Sequence, residues 1–259
     1  MIVGVLLLGT LSVDAQGQMK LDYSSMTAAE LLPYAQKGDA EAQFNLGRMY
    51  YNGKGVIKDN KEALKWCRLA AEQGEAKSQI MLGAMYLSGE GVTKNSKEAL
   101  KWFRLAAEQG EATAQCLLGM MYYDGEGVIK DYKEAMKWFK LAAEQGNADA
   151  QNLLGLMYDN GQGVPQNYKD ALKWYTLAAE QGYAEAQHNL GLMYDNGQGV
   201  IKNMEQAYFW FLIASASASG DDFKDFSDAR EKAAKELNST QRTRIQSEAQ
   251  AWMKEKGFN

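Results

Sequence analysis

The sequence has few of the side chains from which catalytic and metal sites are built. It contains one histidine, His188, two cysteines, Cys67 and Cys116, and only two prolines in 259 residues. A single histidine with scattered acids does not form the ligand cluster that a zinc site requires. We therefore expect no metal and no cofactor. Cys116 and His188 lie 72 residues apart in a repetitive chain, which also argues against a cysteine–histidine catalytic pair.

Positive charge and long apolar runs are scarce as well. The formal net charge is −5 and the isoelectric point is near 5.2. A nucleic-acid partner requires a basic surface that displaces counterions, so we expect no nucleic-acid binding. After residue 15 no apolar run is long enough to span a bilayer, and the mature chain is predicted to have no membrane span.

The first fifteen residues differ from the rest of the chain. Residues 2–11 form an apolar run, and Val13 and Ala15 place small residues at the −3 and −1 positions of a cleavage site. This pattern predicts a signal peptide at 1–15, cleaved after Ala15, and a periplasmic or secreted protein. The alternative is an uncleaved hydrophobic N-terminus, because no Lys or Arg precedes the apolar run.

The most informative feature is repetition. The hexapeptide LAAEQG occurs at 69–74, 105–110, 141–146 and 177–182, with a period of 36 residues. Alignment at this period gives five units, called here repeats one to five: 39–74, 75–110, 111–146, 147–182 and 183–218. Each unit contains two helical stretches joined by a Gly-x-Gly-Val turn, as at Gly53 and Gly55. Such a pattern is typical of an all-α stack in which each helix pair buries apolar surface against its neighbours.

Helical periodicity divides the first helix of each repeat into two arcs. Residues that are nearly constant among the five copies, such as Ala42, Gln43 and Leu46, fall on one arc and are predicted to be buried. Each glutamine on this arc then needs a hydrogen-bond partner. In the second helix, the tryptophans at a 36-residue spacing are predicted to form a core column: Trp66, Trp102, Trp138, Trp174 and Trp210.

The repeated motifs are Ala-x-Ala-Gln-x-x-Leu-Gly-x-Met-Tyr, Gly-x-Gly-Val, Ala-x-x-Trp and Ala-Ala-x-x-Gly. Together they resemble the Sel-one-like repeat family, a branch of the tetratricopeptide-type helical proteins, over residues 39–218. The resemblance implies a right-handed α/α superhelical solenoid of five 36-residue helix-turn-helix repeats with helical caps. Some relatives join each repeat by a cysteine pair, but Cys67 and Cys116 are separated by repeat two and are predicted to be free packing residues.

The resemblance also implies a function. Bacterial members commonly act as adaptors that bind other proteins, and some exported members are immunity proteins that neutralise an antibacterial effector. A few have been described as β-lactamase-like or penicillin-binding, but no serine here begins the Ser-x-x-Lys motif of that chemistry. We expect a non-catalytic scaffold, with a periplasmic immunity protein as the alternative and such an enzyme as the least favoured one.

The two ends are predicted to cap the stack. Residues 16–38 contain a half-repeat at Met26–Gly38. Residues 219–259 contain two charged helical stretches, Asp221–Leu237 and Gln241–Glu255, and Ile245, Ala249 and Trp252 supply the apolar stripe of the second stretch. Capping elements with a polar outer side are what a repeat stack requires at its ends.

The variable arc of the first helices is the predicted binding surface. In this fold type these positions line the concave side, where a protein or peptide partner binds. The N-terminal half is rich in aromatic and apolar residues with Arg48 as the main cation, and the C-terminal half mixes leucine with Asn and Asp. The alternative is that the apolar members pack against neighbouring first helices. We call this set the candidate surface: Phe44, Arg48, Tyr51, Ile80, Ala84, Leu87, Met120, Tyr123, Asn152, Leu156, Asp159, His188, Leu192 and Asp195.

Overall fold

The computed structural model describes residues 11–13, 19–217 and 222–258. Within these ranges the chain is almost entirely helical, apart from two three-residue strands and a 3-10 turn at Tyr23–Ser25. The elements are β1 (Leu11–Val13), β2 (Met19–Leu21), α1 (Ala28–Gln36), α2 (Ala40–Asn52), α3 (Asn60–Glu72), α4 (Ala76–Ser88), α5 (Ser96–Glu108), α6 (Ala112–Asp124), α7 (Tyr132–Glu144), α8 (Ala148–Asn160), α9 (Tyr168–Glu180), α10 (Ala184–Asn196), α11 (Met204–Ser217), α12 (Asp222–Lys235) and α13 (Ser239–Lys256).

The N-terminal strands were not predicted from the sequence. β1 and β2 pair in antiparallel register, with Leu11 opposite Leu21. Three residues per strand give too little alternation for a period of two to be recognised. Residues 1–10, 14 and 15 of the predicted signal peptide, including its cleavage site, lie outside the described residues.

The helices begin and end where the repeated sequence places polar caps and glycine. α2 follows Asp39, whose carboxylate accepts a hydrogen bond from the Ala42 backbone N–H, and ends at Gly53 with a left-handed φ of 69°. α3 follows Asp59, whose side chain accepts from the N–H groups of Lys61 and Glu62. These are standard N-cap and C-cap arrangements. They confirm the helix-turn-helix architecture of the repeats.

The second glycine of the turn is needed for stacking in repeats two to five. Gly91 in the turn of repeat two has a φ of 72°, and a Cβ there would lie 2.2 Å from the backbone oxygen of Asn60, at the start of α3 in repeat one. A Cβ at Gly163 would lie 2.7 Å from the oxygen of Tyr132 in the same way. The turn therefore packs directly against the preceding repeat, at a distance that only glycine allows.

Inside each repeat a glycine of the first helix faces a large side chain of the second. A Cβ at Gly83 would lie 2.6 Å from the Phe103 ring, and one at Gly155 would lie 2.7 Å from the Tyr175 ring. In repeat one the ring is replaced by Cys67. Both cysteines are buried and free, as predicted. In the predicted tryptophan column, Trp138 is half-buried, and the other four are buried: Trp66, Trp102, Trp174 and Trp210.

A ladder of glutamine side chains joins the first helix to the end of the second helix in repeats one to four. Gln43 donates to the carbonyl oxygen of Ala35 (3.0 Å), and its own amide oxygen accepts from Gln73 (2.7 Å). The second type of contact recurs as Gln109 to Gln79, Gln145 to Gln115 and Gln181 to Gln151. In repeat five Ser217 stands in place of the donor. The buried Gln187 Oε1 has no partner within the described part of the chain.

The chain divides into two compact units. The first contains residues 1–114 and 126–129, and the second contains residues 115–125 and 130–259. Each unit is built of stacked helix pairs, so the fold is an all-α solenoid of helix-turn-helix repeats. In the first unit α1 packs on α2, and Leu31 joins a core with Leu46 and Trp66. In the second unit α12 and α13 both pack on α11.

No helix in the described ranges is both long enough and apolar enough to cross a membrane.

Candidate protein-binding surface

The candidate surface lies on the first helices of the repeats, α2, α4, α6, α8 and α10. Arg48, Ala84 and Met120 are exposed, Asn152 is buried at 9%, and the other members are half-buried. Nearly constant neighbours on the same helices, such as Leu46, are buried. Six members lie in the first unit, namely Phe44, Arg48, Tyr51, Ile80, Ala84 and Leu87, and the remaining eight lie in the second unit.

Arg48 is the centre of the surface in the first unit. Its guanidinium lies 5.7 Å from the centroid of the Phe44 ring, and its Nη2 donates to Asn45 Oδ1 at 3.2 Å. Two open depressions of about 280 and 700 Å³ meet at Arg48 and Asn45, and the second also includes Phe44 and Lys77. A cation stacked on an aromatic ring beside open depressions is an arrangement suited to contact with a polypeptide.

Two tyrosines of the surface already make contacts between repeats. The hydroxyl of Tyr123 donates to Gln162 Oε1 at 2.9 Å, in the turn of repeat four. A hydrogen bond to Glu90, in the turn of repeat two, is the main cause of the raised pKa of Tyr51. The sequence interpretation treated both side chains as available to a partner. Their half-buried rings remain available, but their hydroxyls are engaged.

The turn lysines form a part of this region that the sequence interpretation missed. Lys58 Nζ lies 5.4 Å from the centroid of the Tyr51 ring, and Lys202 Nζ lies 3.6 Å from Asp195 Oδ1. The signal in the sequence is the lysine that follows the Gly-x-Gly-Val motif by two residues. It is present in every repeat except the fourth, which has Gln166.

In repeat five the predicted surface is covered by the chain itself. The imidazole of His188 stacks on the ring of Phe226 in α12, with centroids 4.4 Å apart and an interplanar angle of 17°. Leu192 packs against a cluster that contains Ala233, and Lys232 Nζ lies 3.4 Å from Asp195 Oδ2. The expectation that His188, Leu192 and Asp195 form open surface is therefore corrected. The reason is that α12 packs on α11 as α8 packs on α7. α12 thus takes the position that the first helix of a sixth repeat would have.

Two further groups of exposed apolar side chains were also missed. The second helices present leucines that are 37–45% exposed: Leu69, Leu105, Leu141 and Leu177. The turns present isoleucines that are 88–90% exposed: Ile57, Ile129 and Ile201. The leucines begin the LAAEQG hexapeptide on an otherwise charged side, which is the signal that identifies them. Ile213, at the equivalent place in repeat five, is fully buried in a cluster with Ala249 of α13.

The fold and this surface define a class, an α-helical tandem-repeat protein with a solvent-facing set of variable residues on its first helices. The sequence matches the Sel1 repeat family model five times, at residues 40–75, 76–111, 112–147, 148–183 and 184–219. The chain belongs to the Sel1 repeat family, as the sequence motifs predicted. No curated protein matches it.

Solved structures of this family resemble the chain. Protein c5321, described as a protective antigen of uropathogenic Escherichia coli strains, is 34% identical with a TM-score of 0.74, and the match covers 85% of this chain and 51% of c5321. The chain thus spans about half the length of that protein. A Sel1 repeat protein from Oxalobacter formigenes is 35% identical with a TM-score of 0.69, covering 76% of this chain and 86% of that one.

The immunity protein Pa5087 from Pseudomonas aeruginosa is more distant. It is 22% identical with a TM-score of 0.48, and the match covers 76% of this chain and 75% of Pa5087. At that distance its role is not transferred to this chain.

Proposed function

We propose that the protein is a non-catalytic scaffold that binds a protein or peptide on the candidate surface of α2, α4, α6 and α8. The observation that carries this proposal is the division within these helices. Residues that repeat with little change, such as Ala42, Gln43 and Leu46, are buried, whereas Arg48, Ala84 and Met120, at one equivalent position in repeats one to three, are exposed and differ from one another. A position free of packing constraints is available for partner contacts.

The chemistry of the surface supports a polypeptide partner. Aromatic residues, methionine and arginine are enriched in protein interfaces, and the surface offers Phe44, Tyr123, Met120 and Arg48. The repeat-five members are excluded from the proposal because α12 covers them. The surface in the second unit therefore consists of α6 and α8 residues.

The decisive experiment compares two matched pairs of substitutions. Ala84→Glu with Met120→Glu places two charges on the candidate surface, and Leu105→Glu with Leu141→Glu places two charges on the second helices. Met120 and Leu141 are 40% and 45% exposed, so neither pair disturbs the core. Affinity capture from an envelope extract of the source organism should lose its specific partners with the first pair and keep them with the second.

The outcome also separates the adaptor from the alternative function. Recovery of several envelope proteins supports an adaptor, and recovery of one tightly bound effector supports the immunity role. Equal capture by both double variants contradicts the proposed surface. Circular dichroism of both variants checks that the helices are retained.

We also propose that the protein acts outside the cytoplasm. The support is the apolar run at residues 2–11, together with the description of the E. coli relative as a protective antigen. Cleavage after Ala15 removes β1 and leaves β2 without its partner strand. The mass of the protein recovered from the periplasm tests this proposal. A mature form that begins at Gln16 is expected, and a full-length form confined to the cytoplasm contradicts it.

A further inference from the structure

Two equivalent aspartates in repeats four and five have different surroundings. Asp195 is the penultimate residue of α10, and its carboxylate lies between Lys202 (3.6 Å) and Lys232 (3.4 Å). Asp159 is the penultimate residue of α8, 36 residues earlier, in an identical local sequence, LGLMYDNGQGV. In the part of the chain that the structure describes, no cation pairs with the Asp159 carboxylate. Within the described residues, the aspartate is thus doubly paired in repeat five and unpaired in repeat four.

The difference follows from the neighbours of each aspartate. Lys202 lies in the turn of repeat five, and the equivalent residue in repeat four is Gln166. The Gln166 side chain donates to the backbone carbonyl oxygen of Asp159 at 2.6 Å, so its amide serves the main chain instead of the carboxylate. Lys232 comes from α12, and the helix that follows repeat four is α10, which offers no lysine.

The Asp159 carboxylate lies in a poorly solvated place. The side chain is half-buried, and burial alone raises its pKa. Burial also raises the pKa of Tyr175, and the negative charge of Asp159 and the nearby Tyr123 add to that shift. The hydroxyl of Tyr175 is buried and has no hydrogen-bond partner among the described residues. An unpaired charge in such a place is unfavourable, and its pairing with a cation offsets the lost solvation.

We propose that Asp159 receives a lysine or arginine side chain of the protein segment bound on α6 and α8. The inference rests on the proposed function and specifies that the partner carries a positive charge where it contacts Asp159. The internal precedent is Asp195, whose two lysines show the type of group that this position binds. Tyr123 lies on the preceding first helix and, like Asp159, acts on the pKa of Tyr175. Its ring already has a cation nearby, since Lys130 Nζ lies 5.9 Å from the ring centroid.

A metal ion is a less suitable occupant. Asp159 is a single carboxylate, and no group of three histidine, cysteine, aspartate or glutamate side chains in the described ranges is arranged to hold an ion. Hard cations take six or more oxygen ligands in proteins. A single carboxylate beside an aromatic ring fits one basic side chain better.

The test uses random dodecapeptides displayed on phage and selected against the full-length chain. Enriched peptides are expected to contain a lysine or arginine next to apolar residues. Fluorescence anisotropy of the best labelled peptide is then measured with variants of the chain. Asp159→Asn should weaken binding by about tenfold or more, since loss of one partner of a desolvated charge pair has effects of that order. Glu180→Gln makes the same charge change at an exposed residue of α9, away from the candidate surface. It should leave the affinity for the peptide within about twofold of that of the unsubstituted protein.

A second variant tests the inference without removing the carboxylate. Gln166→Lys restores the turn lysine of the other repeats, which then pairs with Asp159 as Lys202 pairs with Asp195. The variant is expected to weaken peptide binding as Asp159→Asn does. It also guards against misfolding as the cause of the Asp159→Asn result, because an added internal ion pair does not disrupt the fold.

The outcomes separate this inference from the proposed function. Met120→Glu tests the surface, and Asp159→Asn tests the cation-binding position. Loss of binding with Met120→Glu but not with Asp159→Asn or Gln166→Lys overturns the inference and leaves the surface in place. Enriched peptides without a basic residue also overturn it. Binding that is unaffected by Met120→Glu, or a selection that yields no binding peptide, overturns the inference together with the surface.

Discussion

Repeats four and five share an identical stretch, LGLMYDNGQGV, yet the structure gives the two copies different roles. In repeat four Asp159 is unpaired, Leu177 is 37% exposed and Gln151 accepts from Gln181. In repeat five the equivalent aspartate is paired twice, Ile213 is fully buried and Gln187 Oε1 has no partner in the part of the chain that the structure describes. The local helix and turn are the same. Two things differ. The element that follows repeat five buries Ile213 and supplies Lys232, and single residues within the repeat change, namely Gln166 to Lys202 and Gln181 to Ser217.

The largest expected difference between the two repeats concerns the second helices. Ile213→Ala leaves a cavity beneath α13, and a fully buried isoleucine reduced to alanine lowers the free energy of unfolding by about 2–5 kcal/mol. Leu177→Ala, at the equivalent position, removes a side chain that is 37% exposed and should lower it by about 1 kcal/mol. Urea denaturation followed by circular dichroism measures both. Similar losses in the two variants would mean that α13 does not cover Ile213 in solution.

A second prediction concerns the ring that faces the glycine of the first helix. Repeat four has Tyr175 where repeats three and five have Phe139 and Phe211, and its fully buried hydroxyl has no partner within the described ranges. Tyr175→Phe should therefore raise the free energy of unfolding by about 1 kcal/mol, because an unsatisfied buried hydroxyl is removed. The reverse change in repeat three, Phe139→Tyr, should lower it by about 1–3 kcal/mol. A destabilised Tyr175→Phe variant would show that the hydroxyl has a partner in solution.

The repeats illustrate what a sequence predicts well. Burial of Leu46, the free state of Cys67 and the turn at Gly53 all follow from a 36-residue period, because each copy is a further observation of the same environment. The coverage of His188 by Phe226 could not be derived in this way. α12 occurs once, its contacts to α10 come from Phe226 and Lys232, and no second copy marks those side chains as partners.

The same limit applies to the candidate surface. Periodicity identified Arg48 and Met120 as positions without a packing constraint, and both are exposed. It did not identify the contact of Tyr123 with Gln162, because a hydrogen bond between repeats depends on which residue the following turn presents. Gln162 is Glu in repeats two and three and Lys in repeat one. Side chains that vary together in neighbouring repeats are not revealed by the pattern of any single position.

The third prediction concerns the glutamine contact that is missing in repeat five. Ser217→Gln should supply the missing donor to Gln187 Oε1 and raise the free energy of unfolding by about 1 kcal/mol, the usual net value of one hydrogen bond. Gln181→Ser in repeat four should lower it by a similar amount through loss of the 2.7 Å contact with Gln151. Urea denaturation of the two variants is the measurement. A neutral Ser217→Gln variant would indicate that water already satisfies the amide oxygen.

The smallest predicted effect is the change in stability when each of the two equivalent aspartates is replaced by asparagine. It has opposite signs in repeats four and five and depends on pH in repeat four. Burial raises the pKa of Asp159 above its ordinary value of 3.8, so ionisation at neutral pH destabilises the folded state. At a pH above the pKa of Asp159 in the folded state, Asp159→Asn should therefore be slightly more stable than the unsubstituted protein. This gain should disappear as the pH falls below about 3.8, because the carboxyl is then protonated in both the folded and the unfolded state. Asp195→Asn loses two ion pairs to exposed lysines and should be less stable by up to about 1 kcal/mol at neutral pH. Thermal melts of both variants at pH 3 and pH 7 distinguish the two aspartates. A loss of stability in Asp159→Asn at pH 7 would show that a cation of the chain itself already pairs with Asp159. The carboxylate would then not be available to a basic side chain of the partner, as proposed.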